Sequence, residues 1–210
     1  MNSIRDQISI GFQAAVFLLI WVVLLVIKGV SLEIGWEAVK LIPDVIGVYA
    51  LLVFVFVKWL WKCSVFRRWL VTTPVIQGTW KGTMQTTWKN PDTGQIPGPI
   101  EVYIVIRQTL RTTNITMFTE ESTSESDAAA LCIDEEVGKQ ILSYSYSNVP
   151  KSTVRNRSEI HYGSARLRIS LRSEKILEGE YWTDRKSTGH MKLTYYNKTK
   201  IERFPLNQES

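Results

Sequence analysis

The chain has 210 residues, with 25 Lys and Arg against 20 Asp and Glu, a net charge of +5 and 11% aromatic residues. Its mean hydropathy of −0.04 is that of a soluble protein, yet only eleven of its 45 charged side chains fall in residues 1–70. That split excludes a single soluble domain, and the aromatic content excludes a disordered chain. Two cysteines, Cys63 and Cys132, exclude a disulfide framework or a C-x-x-C zinc site.

Ile8 to Ile27 is an apolar run broken only by Ser9, Gly11 and Gln13. At about 1.5 Å of rise per residue it is long enough to cross a hydrocarbon core about 30 Å thick. It is too long for a signal-peptide core, and no A-x-A-like cleavage site follows it. A second run, Leu41–Trp61, has no charge between Val45 and Val57, with Asp44 and Lys58 near its ends. Together they predict a two-helix transmembrane hairpin over residues 1–70, with helices at about 8–28 and 41–62. Trp36, Trp59, Trp61 and Trp69 are placed as interfacial anchors. Lys58, Lys62, Arg67 and Arg68 follow the second helix, and Arg5 precedes the first. In the connecting loop, Lys28 and Lys40 are balanced by Glu33, Glu37 and Asp44. The positive-inside rule therefore places both termini in the cytoplasm, where unpaired cysteines suit the reducing environment.

From Val71 the period changes to two. Trp80, Gly82, Met84, Thr86 and Trp88 alternate with polar residues, the signature of a half-buried strand. Further strands are expected at Ile100–Gln108, Ile115–Glu120, Lys139–Ser147, Ile160–Leu171, Ile176–Thr183 and Met191–Tyr196, with Ile201–Phe204 closing the chain. Ser126–Ile133 reads equally as a helical turn or a strand. The turn Asn90–Gly94 and the loop Ile96–Pro99 separate the first two strands. Seven to nine short strands without a long helix predict an all-β domain over residues 71–210. A small antiparallel barrel of about eight strands leaves no exposed edge, and a sandwich is the alternative. Parity places Trp80, Met84, Ile104, Leu142, Tyr144, Tyr146, Leu167, Ile169, Leu177, Gly179, Tyr181, Met191, Leu193 and Tyr195 inside. Arg166, Arg168 and Arg172 fall outside.

No Walker loop, G-x-G-x-x-G, G-x-S-x-G or H-E-x-x-H occurs, so no enzyme, catalytic residue or metal site is expected. His161 and His190 read as surface or capped residues. Thr112–Gly138 carries seven acids and no base, whereas Lys139–Lys175 carries eight bases and two acids. That polarity suits an anionic partner near the basic half, or mutually attracting protein faces. In Leu177–Leu193, the residues Tyr181, Thr183 and Arg185 share parity. An aromatic, a hydroxyl and a guanidinium in one row can stack on a base and pair with a phosphate. Parity and chemistry together nominate Tyr144, Tyr146, Tyr181, Thr183, Arg185 and Tyr195 as ligand-binding.

Two apolar helices followed by VIQGTWKGTM (Val75–Met84), LSYSYSNVP (Leu142–Pro150) and LEGEYWTDRKSTGHMKL (Leu177–Leu193) resemble one bacterial family. It is the SMODS-associated two-transmembrane, β-strand-rich effector family of CBASS antiphage systems. The resemblance implies a β-barrel that binds a cyclic dinucleotide made by a partner nucleotidyltransferase on infection. It further implies a multi-pass protein of the bacterial inner membrane that oligomerises, disrupts the bilayer through its helices and kills the infected cell. The expected partners are thus the cyclic dinucleotide, the lipid bilayer and further copies of the chain. No cofactor and no DNA or RNA polymer is expected. Gly78-Thr79-Trp80 also fits the G-x-W of lipocalins, which leaves a membrane-anchored barrel binding lipid or a protein partner as the alternative.

Overall fold

The first apolar run is helical from Ile4 to Ile27 (α1), because straight-chain and β-branched apolar residues fill it without a proline. The computed structural model describes residues 4–32, 35–67, 70–134, 137–171 and 174–205, divided into two compact units at Thr72/Thr73. Glu33, Arg68, Trp69, Glu135, Glu136 and Arg172, and the side chains of Arg5 and Asp6, lie outside the described residues.

In the first unit the second apolar run is one helix that stops at Lys58, short of the end expected at about residue 62, where a 3₁₀ turn takes over. A single turn, Trp36–Val39 (α2), precedes the long helix Ile42–Lys58 (α3). Pro43 sits in the first turn of α3, where its missing N–H is not needed. The segments Ile10–Ile27 and Trp36–Lys58 are long and apolar enough to cross a membrane. α1 and α3 run antiparallel: Phe17 meets Tyr49 edge-on at 5.9 Å, and Lys28 pairs with Asp44 at 2.6 Å at the loop end. The Trp21 indole N–H donates to the Ala38 carbonyl at 3.1 Å, fastening α2 to α1. Lys58 folds over Phe54 and Trp59. A 3₁₀ turn at Leu60–Lys62 and a short helix at Ser64–Arg67 (α4) follow. Trp36 and Trp59 are exposed, whereas Trp61 is fully buried, so it is a packing residue and not an anchor.

The second unit is a closed barrel of eight antiparallel strands in sequence order. They are β1 (Gly78–Thr86), β2 (Ile100–Gln108), β3 (Thr113–Phe118), β4 (Ser122–Asp134), β5 (Lys139–Pro150), β6 (His161–Ser170), β7 (Ile176–Thr183) and β8 (Thr188–Asn197). The ambiguous Ser126–Ile133 run is strand, inside β4. Pairing of β1 with β8, from Thr79 opposite Asn197 to Thr86 opposite Gly189, closes the sheet. Ile201–Phe204 is not a strand. Ile201 and Phe204 instead cover an outward cluster of Tyr103, Val105 and Phe118 on β2 and β3.

The inward residues anticipated from parity form or abut the barrel core, with Trp80, Ile104, Leu142, Leu167, Leu177 and Leu193 wholly buried. Arg166 and Arg168 are exposed on the outer face. One end is plugged by Trp80, whose indole N–H donates to the Ile76 carbonyl at 2.8 Å and whose ring meets Tyr195 edge-on at 5.3 Å. Gly78, at φ 134°, makes the turn into β1 that only glycine takes easily. The G-x-W of this chain is thus the plug of the barrel. Truncating so large a buried ring leaves a cavity, so Trp80→Ala should cost about 3–5 kcal/mol, read as a lower denaturant midpoint by near-ultraviolet circular dichroism.

Candidate functional site

At the end opposite the Trp80 plug, the barrel opens into a cavity of about 770 Å³. Drug-sized ligand sites span roughly 300–1,000 Å³, so the space is of the size of a small-molecule site. Its lower walls are Met84, Ile100 and Met117, and its sides carry Tyr146 and Tyr181. Thr86, Ser124, Asn148, Thr183 and Ser187 supply hydrogen-bonding groups, while Trp88, Pro97 and Pro99 stand at the mouth.

The two tyrosines are held flat by glycines on the neighbouring strands. Tyr146 on β5 lies opposite Gly163 on β6, and Tyr181 on β7 opposite Gly189 on β8. A Cβ at either glycine would run into the facing tyrosine ring. Glycine thus lets each ring lie against the wall, where its inner face remains open to a stacked planar group. Burial raises the hydroxyl pKa of both tyrosines, so both are neutral donors at physiological pH.

Arg185 enters the cavity from the β7–β8 turn, just before Lys186, which takes the left-handed region at φ 62°. Its Nη1 donates to Ser158 Oγ and its Nη2 to His161 Nε2, each at 3.2 Å, and its guanidinium lies 5.9 Å from the Trp88 ring centroid. Its Nε is buried without a partner, and no carboxylate lies within ion-pair distance among the described residues. Burial pulls its pKa down, opposed by nearby Asp184. The Asp184 carboxylate itself accepts from the Tyr162 backbone N–H at 3.2 Å. Arg157, also lining the cavity, is already paired with Glu121 at 2.5 Å.

His161 is the residue sequence reasoning missed. It is buried at the start of β6 and not a surface group. Its Nδ1–H donates to the Glu159 carbonyl at 2.9 Å, so Nε2 carries the lone pair that Arg185 requires. Behind it, Ser124 Oγ donates to Asn148 Oδ1 at 2.7 Å, and Asn148 lies opposite His161 across β5 and β6. No motif spacing signals this partnership, because Arg185 and His161 are 24 positions apart and meet only where β6 and β7 end together.

Of the six nominated residues, Tyr146, Tyr181, Thr183 and Arg185 line the cavity. Tyr144 lies one layer deeper, buried beside Tyr146 with its hydroxyl unpartnered. Tyr195 is at the plugged end, against Trp80 and beneath Lys175. Parity assigns all six to the interior but cannot say how high along the barrel each one sits.

Fold and cavity define a class: small β-barrels with a ligand-sized, cation-bearing cavity, carried behind an apolar helical hairpin. Residues 71–195 match the family described as Cap15, cyclic dinucleotide receptor domain, and the chain belongs to that family. It is also 29% identical over 178 residues to CD-NTase-associated protein 15 of Staphylococcus schleiferi, covering 84% of this chain and 90% of that protein. The family expected from the sequence is thus borne out.

Burial lowers the His161 pKa, against a smaller opposing effect of the Glu159 carbonyl. In the unfolded chain the group titrates at about 6.5. Its neutral form therefore contributes stability that is complete above that value and is lost as pH falls through the lowered folded value. Thermal unfolding of the barrel should show a midpoint that drops as the buffer is acidified below about 6.5, with a shallower drop in His161→Gln.

Proposed function

We propose that this protein is a CBASS effector whose barrel senses a cyclic dinucleotide in the cavity described above. One observation carries the reading: Arg185 is a part-buried cation with neutral partners only, aimed into a space of ligand size. A buried charge without a counter-charge is costly, and an anionic ligand removes that cost through charge-assisted hydrogen bonds. A cyclic dinucleotide offers two phosphates and two planar bases, matching one free guanidinium edge and two wall-pinned tyrosines. Thr183, Ser187 and Asn148 are placed for hydrogen bonds to the sugar or base edges. Tyr144 supports Tyr146 from below, and Tyr195 acts through the plug. The reading assigns no catalytic residue and needs no cofactor.

The wider role follows from the hairpin. The protein sits in the bacterial inner membrane with both termini in the cytoplasm, where the barrel meets a soluble messenger. A single hairpin cannot enclose a hole, so disruption of the bilayer and death of the infected cell require several copies side by side. The ligand drives this step only by binding the assembly-competent state more tightly than the resting one. An acidic strand meeting a basic face is a poorer candidate for that contact. β4 and β5 are neighbours in the barrel, and Glu121 already pairs with Arg157.

Titration calorimetry of the full chain in detergent against cyclic di-AMP, cyclic di-GMP and mixed cyclic dinucleotides tests the reading. Arg185→Ala should weaken binding by about 1.5–3 kcal/mol, the worth of a hydrogen bond to a charged group, and Arg168→Ala should leave it unchanged. Tyr181→Ala should cost on the order of 1–3 kcal/mol in lost stacking. Folded Arg185 and Tyr181 variants that bind normally would place the ligand elsewhere.

In liposomes carrying the protein, entrapped dye should escape only when the bound cyclic dinucleotide is added, together with a shift to larger species. Leakage from a protein that stays monomeric would remove the assembly step.

A further inference from the structure

The barrel is closed unevenly. β3 and β4 pair through three residues only, Thr116 to Phe118 opposite Glu125 to Thr123, although β4 runs on to Asp134. β5 pairs with β4 along its whole length. The cause is a bulge: Ser126 lies opposite Tyr146 and Ala128 opposite Ser145, which leaves Asp127 as the extra residue. A bulge bends its strand and sharpens the local twist. Here it turns β4 away from β3, and the Ser126 hydroxyl takes over the Ile115 backbone N–H at 2.9 Å. From Ala128 to Asp134 no strand or other backbone partner is found on the β3 side among the described residues.

This open edge has the sequence Ala-Ala-Ala-Leu-Cys-Ile from Ala128 to Ile133, without a charge, a lysine or a proline. Natural edge strands are normally guarded by such residues. Ala128, Ala130 and Cys132 are exposed, while Ala129 and Leu131 pack only partly against the core. An extended edge is complementary to itself when turned about a two-fold axis, since antiparallel pairing satisfies both ladders at once. With the axis near Leu131, the Asp134 of one chain faces Ala128 of the other, so that acid meets an alanine and not its own copy. The small alanine side chains present no steric barrier to that approach.

We propose that the Ala128–Asp134 edge of β4 is the surface through which two copies of this chain join, as a continuous sheet across two barrels. The contact is isologous and closes at two, which sets two hairpins, four membrane helices, as the unit of assembly. It deepens the self-association in the proposed function and rests on it.

Cys132 reports the contact. In this register it lies diagonally across from Cys132 of the second copy, about 7–8 Å away, within reach of a short bis-maleimide. Full-length Cys63→Ser protein in detergent is treated with that reagent, with and without each cyclic dinucleotide found to bind. The expected result is one cross-linked band at twice the monomer mass. It should be lost in Ala130→Lys, which keeps ligand binding, and absent when the single cysteine is moved to the outer face of β7 (Cys63→Ser, Cys132→Ser, Glu178→Cys). If ligand produces larger species while Cys132 fails to cross-link, the edge is overturned and assembly stands. If the protein binds ligand but remains monomeric, both are overturned. The Cys132 cross-link decides the matter even if Ala130→Lys fails to fold.

Discussion

The pairing of β1 with β8 is the interaction on which the rest of the molecule depends, because it converts a sheet with a free interior face into a tube of fixed width. Every inward side chain then competes for one lumen. Trp80, Tyr195 and Ile76 fill one end, and the leucine and isoleucine layers fill the middle. Above Tyr144 the apolar layers thin out, and serine, threonine, asparagine and histidine share the wall with Met84, Ile100, Met117, Tyr146 and Tyr181. The cavity is what remains of the tube once the core has been packed to the density interiors require.

That geometry also explains why a cation is tolerated where it is. Arg185 stands where the tube is wide enough to leave it part-exposed, and His161 and Ser158 satisfy two of its N–H directions without neutralising it. Had a carboxylate taken the His161 position, the guanidinium would be compensated internally and would have little left for an anion. A neutral acceptor orients the group and keeps its charge available. The same logic separates Arg185 from Arg157, which Glu121 neutralises at the same mouth.

Uniform closure would have left no edge, but the β3–β4 seam departs from it. β4 must pair with the long β5 and also with the six-residue β3, and one strand cannot follow both partners over thirteen residues. The bulge at Asp127 resolves the conflict in favour of β5. The conflict is a consequence of strand length, so it is written into the barrel itself and not into any loop.

Much of this was legible in the sequence. Two uncharged runs of membrane-crossing length need no tertiary context to be recognised, since hydropathy is a local property. Strand parity is local too, which is why Trp80, Leu167, Tyr181 and Leu193 could be assigned to the interior before any fold was known. The motifs that carry the family resemblance lie within single strands or hairpins. What the sequence alone could not supply is height and partnership. Tyr144, Tyr146 and Tyr195 have the same parity, and only the stagger of the closed barrel puts Tyr146 in the cavity wall, Tyr144 beneath it and Tyr195 in the plug. His161 becomes a cavity residue only because antiparallel pairing brings its strand end to that of Arg185. Ile201–Phe204 has the composition of a strand, but with the sheet already closed there was no edge left for it to join, and it packed on the outside instead.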